Sequence, residues 1–134
     1  MKDVYFGFNR RDLLIRVDFE SPARAALADF DTLRISFVEP PGWELLVESP
    51  GRPKQTLRLL HHGREVAAPE LAFGVEQIAE LSVPFARLGV QVDQPVQFFV
   101  ELLQGRQSRD RAPREGTINL TCPSPDFEQL MWDV

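Results

Sequence analysis

Cysteine is nearly absent from this 134-residue chain. The lone thiol, Cys122, excludes the disulfide-stapled scaffold of a small secreted domain and reads as a small buried hydrophobe. Long apolar runs are also missing. No stretch approaches the ~20 residues of a membrane-spanning helix, so no membrane partner is expected. Basic excess is lacking as well: 15 Lys and Arg stand against 20 Asp and Glu, a formal net charge of -5. That balance argues against nucleic acid as a partner, because nucleic-acid affinity comes largely from neutralised phosphates. Arg106, Arg109, Arg111 and Arg114 do gather, but Asp110 and Glu115 interrupt them, and a solvated hairpin arm is expected there. Met1-Lys2-Asp3 leads directly into a strand-like run without the apolar stretch and small-residue site of a signal peptide. Cytoplasmic residence is therefore the expected localisation.

What the chain does have is short alternating runs cut by proline and glycine. Residues 4–8 and 13–19 are strand-like and separated by Asn9-Arg10-Arg11-Asp12, which predicts a hairpin whose odd positions Leu13, Ile15, Val17 and Phe19 face a core. Ser21-Pro22 predicts a helix start with serine as the cap and a helix of about one and a half turns, a connector too short to stand alone. Strands are expected over 32–38, 43–47 and 55–61, the first two joined by Glu39-Pro40-Pro41-Gly42. A strand over 76–83 should stop at Pro84, with Phe85 and Leu88 turning inward from one helical turn that Gly89 closes. Residues 96–103 are apolar on both alternating faces and predict a central strand. A last strand is expected over 117–121, then a short terminal helix burying Phe127, Leu130 and Met131. Only the segment after Ser21 approaches a crossover helix, so the pattern predicts an all-β fold. That fold is an antiparallel two-sheet sandwich of seven or eight strands, immunoglobulin- or jelly-roll-like, with short connector helices, in one domain spanning 1–134.

Three segments carry a resemblance. The hairpin Tyr5-Phe6-Gly7-Phe8 with Leu14-Ile15-Arg16-Val17-Asp18 is the first. The strand and plug from Ile78 through Pro84-Phe85 to Leu88-Gly89 is the second, and Pro125-Asp126-Phe127-Glu128 with Met131-Trp132 is the third. In that order they resemble the C-terminal β-sandwich of glycoside hydrolase family 57 proteins. The plug pattern is also similar to DOMON-like and family 9 carbohydrate-binding sandwiches. The resemblance implies a non-catalytic accessory domain, whole or shortened, of a larger glycoside hydrolase. The family's catalytic carboxylates lie in a separate barrel, so no hydrolase activity is expected of this chain. Its implied partners are an α-glucan or its own catalytic domain.

Candidate sites follow from residue chemistry. Sugar rings stack on flat aromatic faces, which nominates Trp43 first, beyond the Pro-Pro-Gly turn, then Tyr5 and Trp132. Asp18, Glu20, Asp29 and Asp31 are hard oxygen ligands close in sequence that could hold calcium, but their spacing fits no calcium-loop signature and a solvated acidic loop is the favoured reading. His61 and His62 are adjacent on a strand and should point to opposite faces, which disfavours chelation. Glu80 and Glu101 could form a glycosidase-like pair only from neighbouring strands; ordinary exposed strand carboxylates are the competing reading. A second functional class stays open: an interaction module, dimeric through an open edge strand beginning near Val4.

Overall fold

The computed structural model describes residues 1–124. Among these, eleven strands form two antiparallel sheets, so the two-sheet sandwich is confirmed with more strands than the pattern predicts. The four-stranded sheet runs β1 (Asp3–Phe8), β2 (Asp12–Asp18), β8 (Ala79–Pro84), β7 (Ala72–Val75). The other sheet has seven strands. Its order is β10 (Gln107–Ala112), β9 (Pro95–Gln104), β3 (Thr32–Glu39), β4 (Trp43–Glu48), β5 (Thr56–His61), β6 (Arg64–Val66), with β11 (Ile118–Thr121) also pairing with β9.

Alternation fixes which rows turn inward. Leu13, Ile15 and Val17 of β2 are buried while Leu14 between them stays 41% exposed. Leu33, Ile35 and Phe37 of β3, Leu45 and Val47 of β4, and Val96, Phe98, Val100 and Leu102 of β9 meet them from the opposing sheet in one continuous core. β9 is central, as its two apolar faces predict: even its outer positions Glu101 and Leu103 are buried. Cys122 is buried at the same core's margin.

The plug behaves as read. Phe85–Leu88 forms one 3-10 turn, both end residues are buried, and Gly89 closes it at φ 69°, a conformation glycine adopts without strain. The Phe85 N–H donates to the Arg11 carbonyl at 2.9 Å, so the ladder with β2 ends beside the plug.

Two expectations need correction, and β7 was not expected at all. The strand expected from Glu76 starts at Ala79; Glu76 lies in the turn after β7, its N–H donating to the Ile78 carbonyl. Ala72-Phe73-Gly74-Val75 is too short and too small to show a period, and pairing with β8 makes it a strand. Ser21 does not cap α1 (Ala23–Leu27): Pro22 is the capping residue, and no side chain bonds the helix start. The amides of Ala23 and Arg24 donate instead to the carbonyls of Gln77 and Glu76, which fastens the helix to the β7–β8 connection. The expected terminal helix and Trp132 lie outside the described residues. Among the described residues no helix is long and apolar enough to cross a membrane.

Candidate functional site

The outward rows of the four-stranded sheet build a trough. Cross-strand register puts Gly7, Leu14, Ser82 and Ala72 in one row and Tyr5, Arg16, Glu80 and Gly74 in the next. Four of these eight positions carry hydrogen, a methyl or a hydroxymethyl group, so the sheet surface sinks between Tyr5 and Leu14 on one side and Glu80 on the other. The hollow has a volume of about 460 Å³ and also borders Phe6, Ile15, Phe73 and Leu81. A second hollow of about 530 Å³, lined by Arg11, Asp12, Glu70, Pro84, Ala86 and Arg87, adjoins it at Ser82. The two hollows share Ser82 as a lining residue on the outward face of the sheet.

Tyr5 is half exposed, at 50%, and faces this trough. The Arg16 guanidinium lies 5.4 Å from the centre of its ring. Arg16 is held in turn by Asp18, with Nε to Oδ1 at 2.7 Å and Nη2 to Oδ2 at 3.0 Å. That fork is a bidentate, charge-assisted contact. The hydrogen bond from Arg16 is the main cause that lowers the Asp18 carboxyl below its ordinary value, and the same bond raises Arg16. At the far end Arg87 and Glu70 form a second bidentate pair, Nε to Oε2 at 2.9 Å, which lowers Glu70. The trough thus offers one aromatic face, fixed cations and carboxylates, the Ser82 hydroxyl and a floor of small residues.

Trp43, nominated first, borders a separate hollow of about 380 Å³ with Arg34, Glu44 and Phe99. It is half-buried and packs against the core, and its ring is stacked on His61 at 4.0 Å between centroids and 8° between planes. One face is therefore covered by a neighbouring imidazole. The histidines also correct the sequence reading: His62 leaves the strand at φ 50°, which brings its ring to 4.3 Å from that of His61 instead of onto the opposite face. Among the described residues no group of three or more His, Cys, Asp or Glu side chains could hold a metal ion. Of the four candidate calcium ligands, Asp18 is engaged by Arg16 and Asp31 accepts the Gly105 N–H at 2.5 Å, so they do not converge with Glu20 and Asp29. Glu80 and Glu101 lie on strands of different sheets and do not pair. Glu101 instead receives Arg34 Nη2 at 2.7 Å on the seven-stranded sheet.

Ser82, Ala72 and Gly74 were not singled out by sequence reasoning; Gly7 and Arg16 entered only in the hairpin that carries the resemblance, and Glu80 only as half of a catalytic pair with Glu101. The one legible signal was glycine inside strands, which weakens a strand and marks close approach of another group. No protein-family model, curated protein or solved structure matches the chain.

Proposed function

We propose that this sandwich is a non-catalytic accessory domain that binds an α-glucan chain along the trough of its four-stranded sheet. The observation that carries the reading is Tyr5, half exposed at the wall of a hollow cleared by Gly7, Ala72, Gly74 and Ser82. The apolar C–H face of a glucose ring stacks on the Tyr5 ring, while Arg16, Glu80 and Ser82 meet its hydroxyls. Asp18 holds Arg16 in place, so less side-chain freedom is lost on binding. One aromatic platform supports weak affinity, with a dissociation constant on the order of millimolar. The resemblance of the hairpin, plug and ending to glycoside hydrolase family 57 sandwiches favours α-glucan as the chain and a glycosidase as the parent protein.

Affinity electrophoresis through glycogen and amylose tests the proposal. The wild-type chain is expected to be retarded in at least one gel, and Tyr5→Ala to run free. Unchanged wild-type mobility in both gels would sink the idea.

A further inference from the structure

The edge of the four-stranded sheet at β1 differs from the other sheet edges among the described residues. β6 has three residues, while β7 and β11 have four each. β10 carries a register shift between Ser108 and Asp110 and charged side chains at Arg109 and Arg111. Short strands, bulges and charges are the devices that keep an edge from pairing. β1 has none of them: it runs six residues in unbroken register with β2, and its only charge is at its first residue, Asp3.

The direction of its unpaired groups can be worked out. Asn9 N–H donates to the Asp12 carbonyl at 3.1 Å, and Phe85 N–H donates to the Arg11 carbonyl at 2.9 Å. In an antiparallel ladder hydrogen-bonded pairs alternate, so the even residues of β2 bond to β1 and its odd residues to β8. Tyr5 and Gly7 therefore turn their amides and carbonyls toward β2. Val4 and Phe6 turn theirs outward, where no described strand pairs with them. Beside these groups Tyr5 is 50% and Phe6 42% exposed.

We infer that β1 pairs antiparallel with β1 of a second copy of this chain, about a two-fold axis through Tyr5. Partners in a pleated pair must share a face, which requires even residues opposite even and odd opposite odd. An axis at Tyr5 meets this rule. It sets Val4 against Phe6 of the second copy and the reverse, forming about four backbone hydrogen bonds from the outward groups. Tyr5 meets its own counterpart as a close, non-hydrogen-bonded pair, where aromatic side chains contact across strands. The strand is self-complementary: Val4 and Phe6 lie on the inward side, Tyr5 and Gly7 on the outward side. The two four-stranded sheets become one eight-stranded sheet, with both troughs opening on the same face. This pairing does not depend on glucan binding. A dimer that is not retarded in the gels, or a monomer that is, separates the two proposals.

Sedimentation velocity over a concentration series, with hydrogen exchange on the same samples, tests it. The wild-type mass is expected to rise toward twice the 15.3 kDa of the chain. Val4 and Phe6 amide exchange should slow by about tenfold or more between dilute and concentrated samples. Tyr5→Lys and Tyr5→Glu should each stay monomeric, because like charges meet at the axis, and their equimolar mixture should regain the doubled mass. Wild-type chain that stays monomeric to about 1 mM overturns the inference, as does a mixture of folded variants that fails to associate. If either variant does not fold, the exchange of Val4 and Phe6 in the unaltered chain decides alone.

Discussion

Replacing Gly74 by alanine and by leucine separates two reasons for a glycine to stand in a strand. Gly74 does not need left-handed backbone, and a Cβ built on it would meet nothing within 4 Å; the same holds for Gly7. The fold therefore does not require glycine at either position. Glycine inside a strand costs about 0.5–1 kcal/mol relative to alanine, so Gly74→Ala should stabilise the domain by that amount. For a chain of this size the gain corresponds to roughly 2–4 °C in melting temperature, read by circular dichroism. Gly74→Leu, in register with Glu80 on the outward face, puts a branched side chain into the hollow. It should leave melting unimpaired yet weaken retardation by glycogen about tenfold, equivalent to about 1.4 kcal/mol. A lower melting temperature for Gly74→Ala would show that the glycine serves the fold. Full retardation of Gly74→Leu would show that the hollow is not the binding surface.

Two further predictions test the packing. At Gly51 a Cβ would stand 2.5 Å from the Ala28 nitrogen and 2.6 Å from the Leu27 carbonyl carbon, backbone atoms that cannot swing away. Gly51→Ala should cost about 1–3 kcal/mol in urea unfolding, and an unchanged midpoint would refute the contact. For Glu101, burial pushes the carboxyl up, but the hydrogen bonds from Arg34 and Ser108 and the charges of Arg34 and Arg111 together bring it below its ordinary 4.5. A lowered folded value means that its contribution is present above pH 4.5 and is lost as pH falls through the folded value. Glu101→Gln should therefore lose about 1–3 kcal/mol at pH 7 and show a smaller further loss between pH 4.5 and 3 than wild type. Urea midpoints that run parallel for the two proteins across that range would contradict this.

The core was legible where one segment carries its own pattern. Leu13, Ile15 and Val17 announce a buried row by spacing alone, and Pro84, Phe85, Leu88 and Gly89 announce the plug by local backbone chemistry. β6 and β7 were not legible because three or four residues hold no period; their strand state comes from pairing with β5 and β8. The site was legible only in part. Tyr5 could be nominated as an aromatic, but its standing above Trp43 depends on neighbours remote in sequence: His61 stacks on Trp43 at 4.0 Å, whereas the Arg16 guanidinium lies 5.4 Å from the Tyr5 ring centre and the small residues of β7 and β8 leave a hollow beside it. Rows such as Tyr5, Arg16, Glu80 and Gly74 exist only through three strand registers, which no single segment encodes.

The most direct measurement of the central claim is a map of backbone amide chemical shifts during titration with a linear malto-oligosaccharide. The account predicts that the shifts cluster at Tyr5, Gly7, Leu14, Arg16, Gly74, Glu80 and Ser82, on the outward face of the four-stranded sheet. Shifts centred on Trp43 and His61, or none at tens of millimolar sugar, would contradict it.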